Sequence, residues 1–301
     1  MELRKIEDRG GEVFVRKYYD GVHFPPNVPG NVKDHLETLR NLKHKEGDIL
    51  LNSFPKTGTH WTYDVLHMLL TGKAEYSIGK IMAMDYEPTE KFDALDSPRI
   101  LVSHLYPKHI PKSVIDEKCK IVYIYRNPKD TAVSMHSFIK RLNIDGFKGY
   151  NGKWEHFLEM FATKQLQYNT WFEHVKSWLD YKEDNPDFPI MFVSYEDMKK
   201  MIDIPQNLRR CVQKMAEYLG AKQDPEFLDE VAKKCQFSAM SKAKTTDETE
   251  TAFSRDGSNP FYRKGEVGDW KNWFTVAQNE IYDEVIEEKM AGIDLELKYT
   301  L

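Results

Sequence analysis

The chain has 301 residues, 41% of them hydrophobic and 13% aromatic, which excludes a disordered polypeptide and leaves room for one large domain or two small ones. Its 43 Lys and Arg are outnumbered by 48 Asp and Glu, for a net charge of -5, so a generally basic nucleic-acid-binding face is excluded and any anion site must be built locally. Cys119, Cys211 and Cys235 are far apart and odd in number, giving neither a disulfide framework nor a metal-spaced pair. The first five residues lead into no apolar stretch, and no apolar run approaches membrane-spanning length; the expectation is a cytoplasmic protein with no membrane or nucleic-acid partner.

In chain order, the first buried strand is expected over residues 49–54, rich in Ile and Leu with no polar alternation. A helix over 59–71 follows, with Trp61, Val65, Leu66 and Leu69 on one stripe and Gly72 as its stop. Further strands are expected over 99–104, 120–126 and 190–195, with a helix through Val133 and Phe138 after the third. Residues 154–181 read as one long helix, because Trp154, Phe157, Phe161, Tyr168, Trp171, Val175 and Trp178 step by threes and fours. The same stripe recurs over 205–219, closing on Gly220. Residues 241–269 are polar, glycine-bearing and without period, and read as a long loop. Thr275 and Gln278 have capping-box spacing ahead of a last helix.

Strands alternating with helices imply a single three-layer α/β domain with a central parallel sheet. In such sheets ligands sit at the carboxyl ends of the strands, so the residues leaving each strand should meet in one site. The first strand runs into Pro55-Lys56-Thr57-Gly58-Thr59-His60-Trp61, a short glycine-bearing turn that aims backbone N–H groups at a phosphate. It lacks the Walker A order, since Lys precedes the glycine. His104 leaves the second strand, a residue type suited to a general base. Arg126 leaves the third, able to grip a phosphate bidentately, with Ser134 two short steps into the next helix. Tyr195 closes the fourth, and Arg263-Lys264-Gly265 makes a second basic clamp. Each feature alone has a bland reading as a solvated turn or a paired surface charge. Together the cations suit a ligand with phosphate at two places.

Three motifs, in this order, resemble those of the cytosolic sulfotransferases, closest to the phenol and amine branch: residues 55–61, the Tyr-x-x-Arg-Asn-Pro-Lys-Asp run over 123–130, and Arg-Lys-Gly-x-x-Gly-Asp-Trp-Lys over 263–271. The resemblance implies one sulfotransferase domain over 1–301 that moves a sulfuryl group from 3′-phosphoadenylyl sulfate (PAPS) to a hydroxyl or amine, leaving 3′-phosphoadenosine 5′-phosphate (PAP), with no metal. It implies that Lys56 neutralises the leaving 5′-phosphate, contacted also by Thr57, Gly58, Thr59 and His60, and that His104 deprotonates the acceptor. Arg126, Ser134, Arg263, Lys264 and Gly265 would hold the 3′-phosphate; Trp61 and Phe237 would sandwich the adenine, with Tyr195 at its edge. Residues 1–45 would partly line the acceptor pocket and 241–269 would close over the donor. Phe24, Tyr86, Phe138, Phe147 and Tyr150 are candidate acceptor contacts, suiting phenols while admitting steroids or arylamines. Lys271, Thr275, Val276 and Glu280 fit the short dimerisation motif of the family and imply a homodimer.

The chain departs from the family pattern at three places. Val102 stands where many relatives have Lys, His60 where a Thr is usual, and Cys235 where a Thr often contacts the adenine. Two other functions share some of these features. A nucleotide kinase would want the Walker A order and a Mg²⁺-holding Asp, for which only Asp197 is available. A non-catalytic PAPS- or PAP-binding scaffold is opposed by Lys56 and His104, while Val102 and His60 speak for it.

Overall fold

A computed structural model describes residues 2–144, 147–148, 150–200, 205–244, 251–252 and 254–301. The chain opens with an antiparallel sheet, β1 (Glu2–Glu7), β2 (Val13–Tyr19) and β3 (Val22–Phe24). Asp20 and Gly21, both at positive φ, make the tight turn between β2 and β3, the backbone such a two-residue hairpin demands.

The central sheet is parallel, in the order β5 (Ile100–Ser103), β4 (Ile49–Ser53), β6 (Lys120–Tyr125), β9 (Ile190–Ser194). A two-stranded ribbon of β7 (Asn143–Ile144) and β8 (Phe147–Lys148) lies between β6 and β9 in sequence. Alternate residues of the strands enter two cores, one on each face. Leu50, Leu101, Ile121 and Tyr123 pack on one side with Phe157, Trp171 and Trp178. Leu51, Val102, Val122 and Ile124 pack on the other with Val65, Leu66, Val212 and Met215. The uninterrupted apolar runs of the sequence follow from this, since both faces are covered.

Each expected strand is one or two residues shorter than its apolar run. Arg99 lies just outside β5, and its guanidinium makes a fully buried ion pair with Asp48, with Nη2 to Oδ2 at 2.5 Å. Tyr195 lies outside β9 because it starts the helix Tyr195–Lys200. The helix Thr59–Thr71 ends on Gly72 at φ 67°, and Pro205–Leu219 ends before Gly220 at φ 76°.

Two expectations fail. The long helix of 154–181 is two helices, Trp154–Ala162 and Trp171–Asp184. Tyr168 and Asn169 between them are both left-handed at φ 60°, and Thr170 caps the second helix in a full capping box with Glu173. The apolar stripe persists across the break because Tyr168 is buried in the loop. The polar segment 241–269 is not all loop: its first four residues complete the helix Phe237–Lys244, and Lys244 Nζ donates to Ser77 O at 2.7 Å. Thr275 and Gln278 form the capping box of the last helix, Val276–Met290.

Candidate active site

The parallel register puts the carboxyl ends of the strands side by side: Asn52 faces Ser103 and Tyr123, Ser53 faces Ile124, and Tyr125 faces Ser194. The next residues are therefore neighbours, and one cavity is lined by Pro55 and Lys56 after β4, His104 after β5, Arg126 after β6 and Tyr195 after β9. Gly58, Thr59, His60, Trp61, Ser134, Phe237, Arg263, Lys264 and Gly265 complete its basic and aromatic side, while Tyr86 and Phe138 lie on its wall.

The turn after β4 is tightly specified. Lys56 is left-handed at φ 72°, and Gly58 is at φ 114°, where a Cβ would come within 2.7 Å of the Tyr195 ring. Thr57 Oγ1 donates to Phe54 O at 2.8 Å and to Ile124 O at 3.2 Å, so this hydroxyl fastens the turn to β6 and is absent from the cavity lining. Lys56 Nζ stands 4.0 Å from the Phe138 ring centroid and 5.2 Å from that of Phe261. The His60 ring stacks on Phe261 at 4.1 Å and 20°, so the imidazole joins the helix to the segment that brings Arg263.

The clamp of cations is balanced by acids of the chain itself. Arg126 Nη2 donates to Glu266 O at 2.5 Å, lies 3.7 Å from Asp130 and stacks over Tyr195 at 4.2 Å. Arg263 Nη1 and Lys264 Nζ both reach Asp269, at 2.5 and 2.7 Å. Burial opposes ionisation of Asp269, yet hydrogen bonds from Lys264, Asn272 and Arg263 hold its carboxyl well below the usual carboxylate range. The Nε groups of Arg126 and Arg263 are buried without a hydrogen-bond partner. Two donors left over beside a cavity suit an anionic ligand, because an unmet buried donor is costly. Gly265, at φ 66°, lies so close to Phe237 that a Cβ would approach the ring to 2.3 Å. Trp61 Nε1 donates to Cys235 O at 2.8 Å and the indole meets Tyr195 edge-on at 5.2 Å, which fixes a flat aromatic wall. The Cys235 thiol itself is turned into the core, 4.0 Å from Met68 Sδ, away from that wall.

His104 is the most constrained group of the site. Its Nδ1 lies 2.8 Å from Ser53 O; a carbonyl only accepts, so Nδ1 carries the proton and Nε2 keeps the lone pair. Its backbone N–H donates to Asp85 Oδ2 at 2.7 Å, and its carbonyl accepts from His174 Nε2 at 2.8 Å. Burial pushes the His104 imidazole below its usual range; Asp85 and the Ser53 carbonyl pull it up, and His60 and Lys56 push it down again. Asp85 accepts also from Ser103 Oγ at 2.9 Å and from Tyr168 OH at 3.1 Å. His174 is held neutral, pushed down to about 3 by burial, with Nδ1 2.8 Å from Tyr123 OH.

Sequence reasoning missed the groups that hold His104, namely Asp85, Tyr168 and His174, which are scattered over the chain. The Thr170-x-x-Glu173 capping box was the readable signal for the break that places Tyr168. Lys80 was missed as well; it lines the cavity beside Ile81, Ala83 and Val102 and pairs with Glu87 at 2.5 Å. Two acceptor candidates do not reach the cavity. Phe24 is buried against His109 and Tyr168, because β3 turns its side chain into the core. Tyr150 stacks on Phe14 and donates its hydroxyl to Asp8. Their place at the cavity edge is taken by Pro25 and Asn27. The Phe147 side chain lies outside the described residues. Lys271, Thr275, Val276 and Glu280 are all exposed, Val276 by 75%. Among the described residues no helix is long and apolar enough to cross a membrane.

Comparison with known proteins bears on the whole chain. The sulfotransferase domain family matches residues 46–294. Sulfotransferase 1B1 of dog (Canis lupus familiaris) is 33% identical over 300 residues, covering 95% of this chain and 97% of that protein. Sulfotransferase 1C2 of rat (Rattus norvegicus) is 32% identical, covering 87% and 89%. The crystal structure of mouse sulfotransferase SULT7A1 complexed with PAP superposes with a TM-score of 0.75 at 31% identity, covering 93% of this chain and 95% of that one. A family match over residues 46–294 of 301, together with relatives above 30% identity over most of their length, leads to one conclusion: the chain belongs to the sulfotransferase family.

Proposed function

We propose that the protein transfers the sulfuryl group of PAPS to the hydroxyl of a small, flat, apolar acceptor such as a phenol, by in-line displacement with His104 as general base. The observation that carries this reading is the committed tautomer of His104. With Nδ1 donated to the Ser53 carbonyl, the basic Nε2 belongs to a residue of the same cavity wall as Lys56, Arg126 and Arg263. In the reaction Nε2 takes the acceptor proton, the acceptor oxygen forms a bond to sulfur, and the bond from sulfur to the bridging oxygen breaks with its electron pair on the departing 5′-phosphate. Lys56 neutralises that charge. Fixed cations and a positioned base are what such a displacement needs, since it gains most from orientation and charge stabilisation.

The donor fits the basic side of the cavity. Arg126, Ser134, Arg263, Lys264 and Gly265 hold the 3′-phosphate, with the two unmet guanidinium Nε groups as further donors. Trp61, Phe237 and Tyr195 take the adenine, and the turn over 55–60 takes the 5′-phosphate. The fastening role of Thr57 Oγ1 leaves that contact to its backbone N–H. Residues 1–45 contribute Pro25 and Asn27 to the acceptor side, and the segment before Gly265 contributes Phe261 and Tyr262 over the donor. The exposed Lys271, Thr275, Val276 and Glu280 serve a homodimer contact, and the site of action is the cytoplasm.

Transfer of label from PAPS is measured across phenols, alcohols, amines and steroids in EDTA. Metal-independent transfer to phenols is the expected result. Binding of PAP with no transfer to any acceptor would leave a donor-binding scaffold instead.

A further inference from the structure

The acceptor side of the cavity is mostly apolar, walled by Ile81, Ala83, Val102, Phe138 and Leu142. Lys80 and Asn27 interrupt it, and so does Gln167. The residue is only 6% exposed and lines the cavity. Its Nε2 reaches a single weak acceptor, Met135 Sδ at 3.5 Å, and its Oε1 is buried with no hydrogen-bond partner. A carboxamide oxygen in such a place is costly to leave unmet, so it marks a polar atom waiting for a donor.

The backbone is strained immediately after it. Tyr168 and Asn169 follow in the left-handed region at φ 60°, which is rare for a bulky side chain. The N-terminal sheet holds them in it. Tyr168 N donates to His23 O at 2.7 Å, Asn169 Oδ1 accepts from His23 N at 3.1 Å, and Asn169 Nδ2 donates to Gly21 O at 2.9 Å. The same kink sends the Tyr168 hydroxyl to Asp85, beside His104. One break between two helices thus serves both the base and the acceptor wall.

We propose that Gln167 is a specificity-determining residue that selects acceptors carrying two polar hydrogens: one hydroxyl that reacts at His104, and a second hydroxyl or amine, across an apolar frame, that donates to Gln167 Oε1. This rests on the acceptor reading above and narrows it to diols, hydroxylated phenols and hydroxy-amines. A site that hydrogen-bonds a ligand discriminates strongly against the analogue lacking that group, because its own polar atom is then left unpaired.

The test uses the PAP-saturated full chain and two matched pairs, 4-(2-hydroxyethyl)phenol with 4-ethylphenol, and a 3,17-dihydroxy steroid with its 17-deoxy analogue. Calorimetry is expected to give about tenfold tighter binding of the two-hydroxyl member. Gln167→Leu and Gln167→Met are each expected to reduce that preference to less than about twofold while leaving PAP affinity unchanged. Equal affinities within both pairs in the wild type, or a preference that survives in both variants, overturns the proposal. Label transfer from PAPS is run alongside. Preference in binding without transfer to any member would overturn the sulfotransfer reading and keep the role of Gln167; transfer without preference would do the reverse.

Discussion

The two ends of the cavity are built on opposite plans. At the donor end, cations come from contiguous motifs and nearly every one is already tied to the chain: Arg263 and Lys264 to Asp269, Arg126 to the Glu266 carbonyl. At the acceptor end the wall is mostly hydrocarbon, and its polar groups, among them Asn27, Lys80, Tyr86, His104 and Gln167, come from distant segments. In the first plan an internal carboxylate, Asp269, offsets part of the positive charge of Arg263 and Lys264. The second holds His104 in one tautomer; on the proposed function, a small change of geometry or charge there alters rate more than affinity.

Substitutions at the two ends should therefore separate kinetically. The largest effect short of removing His104 itself is expected at the junction: Lys56→Ala lowers kcat by about 10²–10³-fold, because a charge aimed at the leaving group acts mainly in the transition state. A fall confined to donor KM would place Lys56 in donor binding only. Next, Arg263→Ala raises the donor KM by about 10–100-fold with little change in kcat, the loss of a charge-assisted hydrogen bond. A loss of kcat at saturating donor would break the separation.

Asp85→Asn acts at the other end without touching either ligand. The Asp85 carboxylate supports the basicity of His104 against burial and against Lys56 and His60. Its neutral replacement lowers kcat by about tenfold and moves the acid limb of the pH–rate profile to lower pH. The wild-type limb itself lies below the usual imidazole value of about 6.5. A variant with reduced rate and an unmoved limb would assign Asp85 a purely structural role.

The last effect is on stability alone. His136 lies on the helix of Arg141 and Ser134 but is boxed by Tyr150, Trp154, Phe157 and Trp273, and burial pushes it down to about 4. The unfolded chain takes up that proton near 6.5, so between about 6.5 and about 4 it binds more protons than the fold does. Stability from the neutral ring is complete above this window and is lost as pH falls through it, by about 1 kcal/mol per pH unit. Chemical denaturation across the window checks this. His136→Phe should flatten the slope and leave the kinetic constants at neutral pH unchanged.

The same contrast explains what was legible in the sequence. Lys56, Gly58, Arg126, Arg263 and Gly265 could be read because strand, turn and helix impose their spacing locally, and the parallel sheet then aligns the strand ends. The acceptor wall has no such local code. Phe24 and Tyr150 share only their aromatic character with a flat acceptor wall; one faces the core from β3 and the other packs on Phe14. Gln167 and Tyr168 were hidden inside an apolar stripe that looks helical, because burial of Tyr168 preserves the period where the backbone does not. Asp85 looks like any loop acid until Ser103, His104 and Tyr168 converge on it. The N-terminal sheet was missed although Asp20-Gly21 is a strong hairpin signal.

The most direct test of the account is single-turnover transfer of label from PAPS to a phenol by the wild type and by His104→Ala, with PAP affinity measured in parallel. The account predicts that the variant binds PAP as tightly as the wild type and loses about 10²–10⁴-fold in the transfer rate. Transfer at the wild-type rate by His104→Ala would contradict it, and the base would have to be sought elsewhere in the cavity.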